Sequence, residues 1–143
     1  MSTGVFGGGA AFTTSYVESV LAGNVNWPIT ASQYGDLTSI SLTPGEWDVT
    51  GLVQTVNNGA ITAAHMIIGI SATAGNASTG LVASSSQVIA WLLATSAFQA
   101  QLVIPNYRVV VAATTTYYLK GLYGAAITNL QYAGCRISAR KVA

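Results

Sequence analysis

The chain has 143 residues, of which 6% are charged and 51% hydrophobic, with a formal net charge of +1. That length suits one domain with a real core, and so small a net charge leaves no electrostatic footprint for nucleic acid. The longest unbroken apolar run, Val88–Ala94, is far shorter than the ~20 residues of a membrane-spanning helix, and a lone Cys135 provides no intrachain disulfide.

No membrane partner is expected, although an outer-membrane barrel stays open because its alternating strands give weak signals. No basic residue precedes a hydrophobic segment at the start, so a secretory signal is not expected. Residues 1–32 read as an N-terminal arm. The stretch TGVFGGGAAF is too rich in glycine for a regular element. SYVESVLAGN carries a short helix signal: Ser15 and Glu18 have capping-box spacing, and Gly23 stands where a helix would stop. Pro28 then holds Trp27 extended.

Residues 33–143 read as a β domain. Ile40 and Leu42 share a face opposite Ser39 and Ser41, and Pro44-Gly45 marks a turn. Trp47, Val49, Gly51 and Val53 then oppose Glu46, Asp48, Thr50 and Gln54, the pattern of a half-buried strand. Asn57–Gly59 is a hairpin signal, and Met66, Ile68 and Ile70 line one side of the strand after it. Asn76–Gly80 is a loop whose glycosylation pattern matters only in a secretory pathway.

Leu81–Val103 is ambiguous. Val88, Trp91, Leu92 and Thr95 have helical spacing, but a strand or loop excursion near Val88–Leu93 and a strand near Phe98–Val103 fit better. Pro105-Asn106 indicates a bend before the last three runs, Tyr107–Ala112, Thr115–Tyr123 and Leu130–Val142. In the last, Cys135, Ile137 and Ala139 alternate with Arg136, Ser138 and Arg140. Roughly seven to nine short strands, with turn signals about every 8–15 residues, predict an all-β chain, an antiparallel β-sandwich or jelly roll behind an extended arm.

The catalytic inventory is thin, and no enzyme is expected. His65, the one histidine, sits in an apolar strand and reads as structural. One His and one Cys cannot complete a zinc site within one chain, so no metal or cofactor is expected. Glu46 and Asp48 share a strand face, which permits a glycosidase-like pair, but a solvated face is the plainer reading. Cys135 reads as a small buried hydrophobe, and Trp91 as the best candidate for an exposed or interface aromatic, with burial in the protomer's own core the plainer reading.

Tyr107–Tyr123 is apolar on both faces. Val109 and Val111 oppose Val110 and Ala112, while Tyr117, Leu119 and Tyr123 oppose Tyr118, Lys120 and Leu122. A sandwich buries one face per sheet, so the remaining strip of Val110, Ala112, Tyr118 and Leu122 is expected to meet sister protomers. A homotrimer with this strand pair near its axis is the preferred arrangement; a dimer or a larger ring stays open.

The blocks SISLTPGEWDVTGLV, YRVVVAATTTYYLKGLYG and GCRISARKV, in that order, resemble a recurrent module of tailed-bacteriophage structural proteins. The resemblance covers about Asp36 to Val142. It implies a small trimeric jelly roll, similar in outline to tumour-necrosis-factor-like trimers and used in head-decoration (cement) proteins, head fibres and tail-fibre tips. The expected location is therefore the virion: the outer surface of the head or a tail fibre. The expected partner is the major capsid protein, contacted by Val5, Phe6, Phe12, Tyr16 and Trp27 of the arm. The alternative is a receptor- or glycan-binding tip that presents Trp91 to a host-surface glycan. Two departures stand out: Leu81–Val103 is longer and more apolar than the module's pattern, and no long coiled coil precedes the β domain. The second suits direct attachment to a capsid.

Overall fold

The computed structural model describes residues 15–26, 33–57, 64–76, 78, 81, 87–92, 98–124 and 130–142. Among them are eight strands and no helix: β1 (Tyr16–Asn26), β2 (Gly35–Leu42), β3 (Gly45–Asn57), β4 (Ala64–Ser71), β5 (Gln87–Leu92), β6 (Phe98–Val111), β7 (Thr115–Gly124) and β8 (Leu130–Lys141). They form two antiparallel sheets, A in the order β1-β8-β3-β6 and B in the order β2-β7-β4-β5. The pairs β1·β8, β2·β7, β3·β6 and β4·β5 are the rungs of one long hairpin folded over on itself. The pairs β3·β8 and β4·β7 complete the sheets. This connectivity is a jelly roll, and the two sheets pack face to face over a filled apolar interior.

Alternation builds that interior. Ile40 and Leu42 from β2, Trp47, Val49 and Val53 from β3, and Met66, Ile68 and Ile70 from β4 are all buried in one cluster. Trp47 is also tied at the start of its strand, where Nε1 donates to the Thr43 carbonyl at 2.9 Å. Gly51 faces the same core: a Cβ there would stand 2.9 Å from Leu119 Cδ1 and 3.2 Å from Ile104 Cδ1, so the bare backbone leaves room for both side chains. Each fully buried aliphatic or aromatic side chain contributes on the order of 1.5–3 kcal/mol.

Three local expectations are corrected. The helix signal of residues 15–23 falls on β1, which pairs with β8 from Tyr16↔Arg140 onward. Val17 and Leu21 pack against the core while Tyr16 and Val20 point outward, a period of two that tertiary pairing favours over a weak cap. β3 and β4 are not hairpin partners, because β3 lies in sheet A and β4 in sheet B; of the Asn57–Gly59 signal, Asn58 and Gly59 lie outside the described residues. Pro105-Asn106 does not end a strand. The register shifts so that Val49 pairs with Tyr107 and Gly51 with Ile104, leaving both residues opposite Thr50 as a β-bulge on an edge strand. Proline is tolerated there because no ladder donor is required of it. Pro44-Gly45 is a turn as expected, with Gly45 at φ 139°, but it carries the chain from one sheet to the other.

β7 is buried on both sides. Leu119 and Tyr123 enter the core, whereas Lys120 points away from it and is nonetheless 0% exposed. The segment after β4 folds over this outer face of sheet B. Lys120 Nζ donates to Asp36 Oδ1 at 2.7 Å and to the Gly75 carbonyl at 2.6 Å, while the Gly75 N–H donates to Asp36 Oδ2 at 2.7 Å. Gly75 turns its backbone to this task at φ 78°, a conformation glycine adopts without strain. The Tyr118 ring lies 5.8 Å from the same ammonium. This clasp joins β2, β7 and the β4–β5 connection.

The clasp predicts an asymmetric response to mutation. Asp36→Ala strands a buried ammonium and should cost about 3–5 kcal/mol. Lys120→Met leaves a carboxylate that is 27% exposed and able to hydrate, so it should cost less. Urea denaturation of both variants checks this; equal costs, or the reverse order, would refute it.

Candidate functional site

The two outer faces of the sandwich differ. That of sheet B carries the clasp. That of sheet A is open, and its ladder registers define rows that run across the strands β1, β8, β3 and β6. One row reads Tyr16, Arg140, Asp48, Arg108. The next reads Glu18, Ser138, Thr50 and then the Pro105-Asn106 bulge. A third reads Val20, Arg136, Leu52, Val103. Glu46 and Val110 are paired at one end of the face.

This face collects most of the charge. Of the chain's five basic and four acidic residues, Arg108, Arg136, Arg140, Glu18, Glu46 and Asp48 lie on it. It also holds Tyr16 (59% exposed), Val20 (55%), Val103 (51%) and Val110 (74%). Exposed apolar side chains among balanced charges, with arginine as the basic residue, have the composition of a protein contact surface.

Most of the charges are internally paired. Arg108 holds Asp48 through Nε–Oδ1 at 2.5 Å and Nη2–Oδ2 at 3.1 Å, and reaches Glu46 Oε2 at 3.5 Å. Arg136 Nε lies 3.4 Å from Glu18 Oε1, and the Tyr16 hydroxyl donates to Glu18 Oε2. The hydrogen bond from Arg108 holds the Asp48 carboxyl below its usual range against partial desolvation, with the Arg108 and Arg140 charges adding to the effect; the Arg108 guanidinium is correspondingly raised. Among the described residues the Arg140 side chain makes no hydrogen bond and no ion pair, although its charge acts on Asp48 beside it. The bulge opens a shallow hollow of about 300 Å³ beside it, lined by Tyr16, Asp48, Asn106 and the hydroxyl pair Thr50–Ser138, whose oxygens are 2.9 Å apart.

The residues singled out from sequence do not converge. Val110 is on the outer face of sheet A and Ala112 is exposed just beyond it, whereas Tyr118 and Leu122 lie on the outer face of sheet B. β6 and β7 belong to different sheets, so these four residues cannot form one strip. Of the arm residues, Tyr16 is in β1; Val5, Phe6, Phe12 and Trp27 lie outside the described residues. Trp91 takes the β5 register position opposite His65. Val20 and Val103 were missed as surface residues. The helix reading of β1 hid the first, and the ambiguity of Leu81–Val103 hid the second. Arg140 was placed on the polar face of the last run, with no sign that it lacked a partner.

Other candidates resolve more simply. Glu46 and Asp48 do share a face, but both carboxylates bind Arg108. That holds Asp48 ionised, opposite to the raised pKa a general acid requires. The His65 ring lies over Gly124, where an added Cβ would collide with it. Cys135 is 1% exposed, and its burial pushes the thiol up to about 12. Among the described residues no group of three His, Cys, Asp or Glu is placed to hold a metal ion, and no helix is long and apolar enough to cross a membrane. No protein-family model matches the chain, and no curated protein matches its sequence.

Two predictions follow from exposure. Val110→Lys, at an exposed position across from Glu46, should leave stability within about 0.5 kcal/mol of the parent, whereas Leu122→Asp, at a position 9% exposed, should cost several kcal/mol by burying a charge. Thermal melts of both variants test the placement of the two faces. The Cys135 thiol should resist iodoacetamide until the chain unfolds. Its raised pKa adds stability that is fully present below the unfolded thiol's value near 9 and lost as pH rises towards 12. Alkylation of native protein at neutral pH, read by intact mass, would contradict that burial.

Proposed function

We propose that the chain is a non-enzymatic structural module of a bacteriophage virion, a head-decoration protein that self-associates and docks on the shell. The observation that carries this reading is the asymmetry of the sandwich. One outer face is fastened by its own clasp, and the other concentrates the molecule's charge and exposed apolar side chains. A module of this kind works by linkage: a protein that binds only the assembled shell stabilises it, with no chemistry required. The jelly roll is compatible with the resemblance but is shared by lectins and other binding domains, so the face rather than the fold supports the assignment.

A second reading, a receptor- or glycan-binding tip, draws support from the hollow. There an exposed tyrosine ring stands beside Arg140, Asn106 and two hydroxyls, groups suited to stack on a sugar and hydrogen-bond its hydroxyls. Immunogold labelling of intact particles, combined with mass spectrometry of purified virions, separates the readings. Decoration predicts label spread over the head at high copy number. Label confined to the tail tip would favour the second reading, and absence from particles would overturn both.

A further inference from the structure

We infer that two copies of this chain associate through the outer faces of sheet A, about a two-fold axis that runs parallel to the strands between β8 and β3. The inference rests on the reading that this face is an interaction surface, and it names the occupant. Closed homodimers of this symmetry are the commonest soluble oligomers, and they require a patch that complements itself: if residue i meets residue j, then j meets i.

The register supplies that complementarity. A copy turned about such an axis keeps each row in place and reverses the strand order, so that β1 meets the partner's β6 and β8 meets its β3. In the first row Arg140, the guanidinium with no bond of its own, then faces the partner's Asp48, and Tyr16 faces the partner's Arg108. A carboxylate that already accepts two bonds has lone pairs for another donor, and a guanidinium over a tyrosine ring is favourable. In the second row Ser138 faces the partner's Thr50. In the third, Val20 faces the partner's Val103, and the Arg136 stem covers the partner's Leu52. No row sets like charge against like.

The other two-fold axis available in the plane of the face runs across the strands. It exchanges the first row with the third and sets Arg140 against the partner's Arg136, an uncompensated repulsion. Charge complementarity therefore selects one axis over the other. It also selects against a polyanionic or polycationic partner, because three arginines and three carboxylates leave the face with no net charge. Size is adequate. Four strands about 4.8 Å apart, over about nine residues of roughly 3.3 Å rise, present on the order of 600 Å² per copy. Two such faces reach the roughly 1,000 Å² at which specific contacts begin.

Sedimentation analysis of the full chain over a range of concentrations should show a reversible dimer. Val103→Glu and Val20→Glu, at positions more than half exposed in the single copy, should keep the parent circular dichroism while weakening the dimer about tenfold or more. Carrying Val20→Cys and Val103→Cys in one chain makes the geometry explicit. The two positions sit on the outermost strands of sheet A, about 14 Å apart within a copy, so a bismaleimide shorter than that gap can join them only between copies. Cys135 is buried and should not compete. A covalent dimer supports the two-fold contact. A wild-type monomer at every concentration would overturn it, as would a trimer or larger ring without the Val20–Val103 cross-link. Either failure leaves the particle-labelling test untouched, so the dimer and the virion role stand or fall separately.

Discussion

One apolar core shared by two sheets governs where everything else in this molecule goes. Alternation sends every second residue of each strand inward, and Trp47, Leu42, Met66, Ile70 and Ile137 close the interior. Most polar side chains must then sit on one of two outer faces; Thr55, buried with its hydroxyl donating to the Ala100 carbonyl, is an exception. The two faces meet that constraint in opposite ways. Around Lys120, sheet B covers its outer side with the turn at Gly75, and it neutralises the ammonium caught beneath with Asp36 and the carbonyl of Gly75. Sheet A leaves its outer side open and places six of the nine charges there. The clasp and the open face thus have one origin: a chain with few charges must either satisfy each one internally or display it.

The burial of Lys120 is informative for that reason. An ammonium with no contact to water is tolerated only where its partners are fixed in advance. Fixing them means holding the β4–β5 connection against β2 and β7. The clasp is weak evidence of net stability, since well-packed apolar side chains of similar volume often do as well. What it specifies is register, because only the pairing of Asp36 with Lys120 across β2 and β7 brings the carboxylate within reach.

Much of this fold was legible in the sequence, and the part that was not has a common cause. The alternation in β2, β3, β4 and β8 placed Ile40, Val49, Ile68 and Ile137 in the core, because a period of two is a local property. The turn at Pro44-Gly45 was legible as a turn. What a turn signal does not encode is whether the chain returns within a sheet or crosses to the other. In a jelly roll nearly every connection crosses, and only β4 and β5 are consecutive neighbours in one sheet. The same non-local pairing turned the capped stretch from Ser15 into strand β1. It also separated Val110 from Leu122, which the alternation alone had joined in one strip. The open face was illegible for a related reason: its rows are assembled from four strands far apart in the chain, and each contributes one residue per row.

Those rows make a neutral but structured surface, and that limits what it can recognise. A face whose charges are mostly paired gains little from long-range attraction, so its selectivity must come from matching rows at close range. Burying paired charges costs desolvation unless each group keeps its partners. Arg108 and Arg136 bring theirs with them, whereas Arg140 interacts with its neighbour Asp48 only through charge and makes no side-chain hydrogen bond. A partner that buries this face without supplying an acceptor to Arg140 leaves a guanidinium unsatisfied, which penalises that partner. A second copy, set strand-parallel, supplies Asp48 at that point and valine at the apolar positions. The unpaired Arg140 is therefore the residue on which specificity turns, and it provides the discrimination that a flat β-sheet face otherwise lacks.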